Sequence, residues 1–159
     1  MKGILLCVLA FLFFSCTGDD LNTIEESDFY GEWNLLSAEA DREIDYNLDG
    51  DTASDIKDDL DCFTIELKLN PDNTFREIIL DRPAFDDQVL CSISQSFGVW
   101  NYLKESNQIE FNYFDETDDL IQKVRSDFTI TKNSSFIFSR EFTDNNGSFK
   151  ANLRFLFLN

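Results

Sequence analysis

Between Phe63 and Leu69, every second residue is apolar and the residues between them are polar. This period of two is the pattern of a β-strand that buries one face. The alternation stops at Asn70-Pro71-Asp72-Asn73 and resumes at Thr74. Because proline, aspartate and asparagine favour tight turns, the segment predicts a hairpin.

The same pattern continues to the end of the chain and predicts eight strands in all. A strand near the start is expected from Tyr30 to about Ser37, although Leu35, Leu36, Ala38 and Ala40 also suit a helix. Eight consecutive strands with short turns favour a single up-and-down β-barrel, with a β-sandwich as the alternative. The remaining predicted strands are Phe63–Leu69, Thr74–Asp81, Leu90–Leu103, Gln108–Phe114, Leu120–Thr131, Ser135–Phe142 and Ser148–Leu158.

The last two predicted strands indicate an aromatic interior. Alternate positions from Phe136 to Phe142, and from Phe149 to Phe157, carry mainly phenylalanine. A small barrel of this length is either filled by such side chains or holds one small ligand. Both interpretations are open at this point.

Two seven-residue segments repeat one local pattern. Residues 30–36 (YGEWNLL) and 97–103 (FGVWNYL) share an aromatic residue, then Gly, Trp, Asn and a final Leu. A glycine two residues before a tryptophan lets the indole lie against backbone. The chain here resembles the lipocalin-like domains of bacterial lipoproteins, in which Gly-x-Trp opens the first strand and recurs in mid-domain. This resemblance covers about residues 29–158, with Gly31, Trp33, Gly98 and Trp100 as the motif, and it implies a basic partner for Trp33, for which Arg154 is the candidate.

The N-terminus has the layout of a lipoprotein signal peptide. Lys2 precedes an apolar run from Ile4 to Phe14, and Ser15 stands directly before Cys16. The resemblance implies that residues 1–15 are removed, that Cys16 is lipidated, and that palmitate-like acyl chains hold the protein in an outer membrane. The acidic segment Thr17–Asp20 resembles an export signal for surface display. Residues 16–27 then form a flexible tether, and residues 28–159 form the barrel domain.

Charge and cysteine content narrow the range of functions. The formal net charge of −18 excludes nucleic acid as a partner. Once Cys7 leaves with the signal and Cys16 carries lipid, Cys62 and Cys91 remain, and an exported protein is expected to join them in a disulfide. The chain has no histidine, so the usual zinc sites and nucleophile-base pairs cannot form. We therefore expect a protein that is not an enzyme, although carboxylate-based hydrolysis is an alternative.

The stretch from Asp45 to Cys62 predicts a calcium loop. Asp45, Asn47 and Asp49 alternate, and Gly50 allows the sharp turn that such loops need. Ile56 stands where an EF-hand has its bidentate glutamate, so replacement ligands are expected, chiefly Asp51 and Asp55, with Asp58 or Asp59 as others. A short helix is predicted within Ser54–Leu60, with Ser54 as its N-cap. A solvated turn that binds no ion is the alternative.

In an up-and-down barrel, strand ends alternate between its two ends. We therefore expect one acidic end, opposite the tether, formed by the Asp-rich loop and the loops near Asp81–Asp87, Asp115–Asp119 and Asp144. At this end, the disulfide would clamp the Asp-rich loop to the loop from Arg82 to Leu90. We expect a lipid-anchored surface protein that binds a small or apolar ligand at this end. The alternative is a β-sandwich carbohydrate-binding or surface interaction protein, which would need exposed aromatic side chains such as Tyr46, Phe85, Tyr113 or Phe114.

Overall fold

The computed structural model describes residues 23–81, 91–117, 119–131, 134–144 and 146–158. Within these ranges the chain forms nine strands, a 3-10 helix at Glu26–Phe29 and one short α-helix, α1, at Ile56–Asp59. The strands are β1 Gly31–Ile44, β2 Ala53–Asp55, β3 Thr64–Leu69, β4 Thr74–Asp81, β5 Ser92–Leu103, β6 Gln108–Phe114, β7 Leu120–Thr131, β8 Ser135–Asp144 and β9 Gly147–Phe157.

The sheet closes on itself as an eight-stranded antiparallel barrel. Each strand from β3 to β9 pairs with the next one along the chain, and β1 pairs with both β3 and β9. The β1–β9 ladder runs from Trp33↔Phe157 to Ala40↔Ala151. This closure confirms the up-and-down barrel architecture and excludes the sandwich alternative, in which two separate sheets pack face to face.

The region after the first strand differs in detail from the prediction. β1 continues to Ile44, beyond the expected end near Ser37, because its second half pairs with β9 on one edge and with the three-residue strand β2 on the other. The predicted helix is present, but its N-cap is Asp55 rather than Ser54. The Asp55 side chain accepts a hydrogen bond from the backbone N–H of Lys57 at 2.9 Å, which satisfies a free donor of the first turn.

Aromatic side chains fill the half of the barrel near the 3-10 helix. Trp33, Trp100, Phe29 and Phe136 are fully buried. The Phe29 ring meets those of Phe128 and Phe136 nearly edge-on, at 5.0 and 5.5 Å between centroids. Such T-shaped contacts are the favoured arrangement of aromatic pairs, so this half is a packed core.

The two ends of the barrel differ as expected. At the tether end, the 3-10 helix is held to the β3–β4 turn by a hydrogen bond from Asn73 to Glu26 (2.9 Å). The opposite end, here called the mouth, carries the Asp-rich loop, the end of β4 at Asp81 and the end of β8 at Asp144. Packing against the core already includes Ile24, four residues before the expected domain start at Asp28.

Candidate functional site

Three polar side chains meet inside the barrel, above the aromatic core. Arg140 donates hydrogen bonds to Glu77 at 2.6 Å and to the Tyr113 hydroxyl at 2.5 Å, and that hydroxyl donates to Glu77 at 3.3 Å. Alternation explains their position, because Glu77 is in phase with Phe75 on β4, and Arg140 is in phase with Phe138 on β8. We call Glu77, Tyr113 and Arg140 the interior triad.

The interior triad is shielded from solvent to unequal degrees. The Glu77 side chain is 2% exposed, whereas that of Arg140 is 12% exposed. The Arg140 guanidinium also lies over the rings of Phe138 (5.8 Å) and Tyr113 (5.9 Å). Burial and the neighbouring Glu77 charge together raise the pKa of Tyr113, so its hydroxyl stays protonated as a donor. The triad is therefore a fixed, charged group with one member that reaches solvent.

Strands β7 and β8 separate next to this triad. Their ladder consists of four pairs, from Thr131↔Ser135 to Phe128↔Phe138. Beyond it, the backbone N–H of Ser139 donates to the side-chain oxygen of Ser126 (3.0 Å) instead of to backbone. A serine hydroxyl thus replaces a ladder bond at the point where the barrel wall opens toward the mouth.

The opening forms a polar cleft with a volume of about 500 Å³. We call it the β7–β8 cleft. Its lining includes Lys123, Arg125, Ser126, Arg140, Glu141 and Lys150. Four lining side chains are basic, and two, Asp127 and Glu141, are acidic. The interior triad reaches this cleft through Arg140.

A buried carboxylate supports the β7 side of the cleft. Glu110, 6% exposed, accepts a hydrogen bond from Arg125 Nε at 2.9 Å and lies 3.2 Å from the Lys123 ammonium. The Arg125 hydrogen bonds outweigh burial and, with those from Asn112 and Lys123, lower the pKa of Glu110 to about 2. Glu110 therefore stays ionised and holds both basic side chains in place.

At the mouth, Tyr46 covers part of the interior. Its ring packs nearly edge-on against Phe63, Phe142 and Phe149 at 6.0 to 6.4 Å. Its hydroxyl donates to Asp81 at 2.8 Å, and burial, followed by the Asp81 charge, raises the pKa of Tyr46. The Asp-rich loop thus extends over the barrel mouth.

The same loop directs much of its polar chemistry at its own backbone. Asp59 accepts hydrogen bonds from the N–H groups of Tyr46 (2.6 Å) and Asn47 (2.7 Å). Asn47 in turn accepts from the Asp49 N–H at 2.9 Å, and Asp49 accepts from that of Asp51 at 2.8 Å. The last two of these bonds are the short-range bonds of Asx-turns. They account for the loop shape without an ion.

The predicted calcium ligands do not all meet. Asn47 and Asp49 line one shallow depression together with Asp58, Asp59 and Asp61. Asp55 is elsewhere, because its side chain accepts from the backbone N–H of Ala38 at 3.0 Å and fixes β2 to β1. The Asp45 side chain keeps one buried oxygen without a partner in the described part of the chain. Across those described residues, no group of three or more acidic or cysteine side chains is arranged to hold a metal ion.

The predicted disulfide is present. Cys62 and Cys91 are bonded, with 6.4 Å between their Cα atoms, and 29 positions separate them along the chain. Both lie just outside strands, before β3 and before β5, so the intervening strand β4 does not hold them apart. The bond fixes the end of the Asp-rich stretch to the start of β5. The loop from Arg82 to Leu90, which this disulfide was expected to clamp, lies outside the described residues.

The two Gly-x-Trp segments share one construction. Trp33 donates its indole N–H to Phe29 O at 2.8 Å, and Trp100 donates to Asn70 O at 3.3 Å. A side chain at Gly98 would overlap the backbone of the neighbouring strand β6. Both tryptophans therefore fasten strands to the tether end.

Arg154 is not the partner of Trp33. It is exposed on the outer face of β9, as strict alternation along that strand requires. The Phe157 ring contacts Trp33 instead, at 5.0 Å. The basic partner implied by the family resemblance is therefore replaced by an aromatic one.

The exposed aromatic residues required by the carbohydrate-binding alternative are mostly absent from the surface. Tyr46 is inside the mouth, Tyr113 is 5% exposed, and Phe85 lies outside the described residues. Phe114 does line an open depression on the outer wall, of about 1080 Å³, together with the exposed Phe97 on the neighbouring strand. Sequence reasoning missed Phe97 as a surface residue.

Comparisons with known proteins add little to this picture. No protein-family model and no curated protein sequence matches the chain. A solved structure of an odorant-binding protein, OBP1, is similar at 12% identity over 86% of this chain and 75% of that one, with a TM-score of 0.45. At that score the likeness carries no argument about function. Among the described residues, no helix is long and apolar enough to cross a membrane.

Proposed function

We propose that this protein is a lipid-anchored, non-enzymatic surface barrel that binds a small ligand in the β7–β8 cleft. The observation that carries the proposal is the interior triad, which reaches that cleft through Arg140. A buried ion pair adds little to stability compared with apolar side chains of similar volume, because desolvation cancels most of the attraction. A charged group inside an aromatic barrel, reaching the surface where the wall opens, is better explained by ligand contact than by folding.

The filled lower core supports this location over the barrel centre. Aromatic rings occupy the tether half, and Tyr46 covers part of the mouth. The side opening between β7 and β8 gives a small molecule a direct route to Arg140. Its polar lining indicates a polar ligand, which departs from the small or apolar ligand at the mouth that the sequence led us to expect.

Native mass spectrometry of protein purified from its own host tests the proposal. The wild type is expected to retain a small-molecule adduct. Gln122 lines the cleft and is exposed, so Gln122→Trp should fill the cleft and remove the adduct. Gln95→Trp is the matched control, because Gln95 lines the outer depression. An adduct kept by Gln122→Trp, or no adduct in the wild type, would contradict the proposal.

The second candidate function is carbohydrate or partner binding at the outer depression. The adjacent rings of Phe97 and Phe114 favour it, because an exposed aromatic pair can stack on an apolar face of a ligand. In the same experiment, this function predicts the opposite pattern: Gln95→Trp loses the adduct and Gln122→Trp keeps it.

The anchor and location are part of the proposal. Support comes from the apolar run before Ser15-Cys16 and from the acidic residues after it. The tether joins the barrel at the end opposite the mouth, so an outer-membrane anchor would leave the mouth facing away from the membrane. Cys16→Ser should leave the protein unlipidated and soluble after export, as metabolic labelling with palmitate would show; continued labelling of the variant argues against the anchor.

Calcium stays in the proposal as a structural ion of the Asp-rich loop. Support comes from the spacing of Asp45, Asn47 and Asp49, and from the oxygen-bearing side chains of Asn47 and Asp49 that line one depression. Of the ligands expected from sequence, Asp55 is committed to the β1–β2 contact. An ion at this place would order the loop that extends over the mouth.

A further inference from the structure

We propose that the ligand of the β7–β8 cleft carries a carboxylate, which Arg140 recognises through guanidinium N–H groups that no protein group uses. This inference rests on the proposed function and names the ligand class for the same site.

Arg140 has guanidinium N–H groups that make no hydrogen bond within the described part of the protein. Its hydrogen bonds to Glu77 and Tyr113 both come from one nitrogen, Nη2. Arginine carries five N–H groups, and in the described residues Nε and Nη1 have no hydrogen-bond partner. The side chain is 12% exposed and lines the cleft. The unused donors therefore have access to a molecule in the cleft.

The guanidinium is held in a fixed orientation for this contact. Glu77 and Tyr113 fix one nitrogen, and the rings of Phe138 and Tyr113 pack against the plane. A planar, positioned fork of N–H donors matches the two oxygens of a carboxylate and loses little entropy on binding. Glu77 balances the charge of Arg140 but does not occupy the free donors.

The remaining lining favours a hydroxylated molecule, and the carboxylate preference comes from Arg140. Lys123 and Arg125 share the single carboxylate of Glu110, and Lys150 has no ion pair among the described residues. Asp127 and Glu141 also line the cleft, and Glu141 lies directly opposite Lys150 in the β8–β9 ladder, so the lining carries both signs of charge. Ser126 and Gln122 add neutral hydrogen-bonding groups. A polar organic acid fits this lining better than an apolar molecule does.

Glucuronate and glucose are suitable probes, because they differ by one carboxylate on the same hydroxylated ring. Both would be titrated into the full chain carrying Cys16→Ser, while the Arg140 Nε–H resonance is followed by NMR. For a molecule of this size, a dissociation constant on the order of 1 mM is expected. Glucuronate should shift the Arg140 resonance with saturation, and glucose should shift it weakly or not at all.

Variants separate recognition from structure. Arg140→Lys keeps the charge but loses the planar fork, and should weaken glucuronate binding by about tenfold or more, the loss expected for a charge-assisted hydrogen bond. Lys150→Gln should weaken it by about threefold at low salt and less at high salt. Lys104→Gln, at the tether end, should change nothing. The cleft-filling Gln122→Trp should abolish the shift.

The outcomes distinguish the two claims. Equal binding of glucose and glucuronate, or glucuronate binding unchanged in Arg140→Lys, would overturn the carboxylate inference and leave a cleft ligand in place. No shift at Arg140 with glucuronate would also overturn it. The proposed function fails separately, through the native mass spectra of the Gln122→Trp variant described above.

Discussion

Tyr46 reaches across the barrel mouth and donates its hydroxyl hydrogen to Asp81 at the end of β4, at 2.8 Å. Through this bond the Asp-rich loop is attached to the end of β4. The loop is therefore part of the barrel structure.

Removal of this one hydroxyl tests the attachment. Tyr46→Phe keeps the ring contacts with Phe63, Phe142 and Phe149 and loses only the bond to Asp81. The free energy of unfolding should fall by about 0.5 to 1.5 kcal/mol, the usual contribution of one hydrogen bond, with up to about 3 kcal/mol if Asp81 accepts as an anion. Urea denaturation measures the change. Tyr102→Phe is the matched control, and an equal loss there would contradict the interpretation.

The disulfide should contribute most of the constraint on the unfolded chain. With 29 positions between Cys62 and Cys91, the chain-entropy model gives about 3 to 4 kcal/mol. The double variant Cys62→Ser/Cys91→Ser should lose that amount in chemical denaturation. Mass mapping of the oxidised wild type should find the two cysteines linked. Free thiols in folded, exported protein would refute the assignment.

Glu110 should make the free energy of unfolding depend on pH in the acid range. Its folded pKa is about 2, against an ordinary value of 4.5, so the stabilising contacts with Arg125 and Lys123 are fully present above pH about 4.5 and are lost as the pH falls toward 2. Glu110→Gln should be less stable than the wild type at pH 7 by about 1.5 to 3 kcal/mol, the contribution of a charged hydrogen bond.

The pH profile distinguishes Glu110 from other acids. The pKa of Asp144 is also lowered, chiefly by its hydrogen bond from Arg42. Wild type and Glu110→Gln should therefore both lose stability in acid. The difference between wild type and Glu110→Gln is what isolates one carboxylate. That difference should shrink between pH 4.5 and 2. A difference that stays constant across this range would mean that Glu110 is not ionised in the folded protein.

Calcium binding is tested by thermal melts with and without millimolar calcium, using magnesium as the ion control. If the loop binds, the dissociation constant should be about 10⁻⁴ to 10⁻³ M, as in weak extracellular sites. Wild type should be stabilised by mass action, whereas Asp49→Ala should not respond. Asp72→Ala, in the β3–β4 turn, should respond like the wild type. The same response in wild type and Asp49→Ala would mean that the ion only screens a charged surface.

The strands were predictable because each buries one face, and burial imposes a period of two on the sequence. The alternation from Phe63 to Leu69 and from Phe149 to Phe157 appears directly in the burial of β3 and β9. β2 was missed because three residues cannot show a period. The length of β1 was underestimated because its second half is a strand only through its pairing with β9 and β2. β9 lies far away along the chain, and β2 is too short to recognise.

The site was less predictable than the fold. A signal was present: Glu77 and Arg140 occupy inward positions of otherwise apolar strand faces, where a charge needs an explanation. A weaker signal marked the separation of β7 from β8, because the positions in phase with Phe128 on β7 include the polar Ser126 and Gln122. The acidic loop attracted the calcium prediction through spacing alone, and spacing cannot show that Asp55 would be used to hold β2 against β1.

The central claim is that the interior triad serves a ligand rather than the fold. The triple variant Glu77→Leu/Tyr113→Phe/Arg140→Met replaces it with apolar groups of similar volume. Because such replacements are often neutral or stabilising by about 1 to 4 kcal/mol, the variant should fold with at least wild-type stability. The deciding measurement is native mass spectrometry of this variant from the host: loss of the adduct in a stably folded protein is the predicted result, and retention of the adduct would contradict the account.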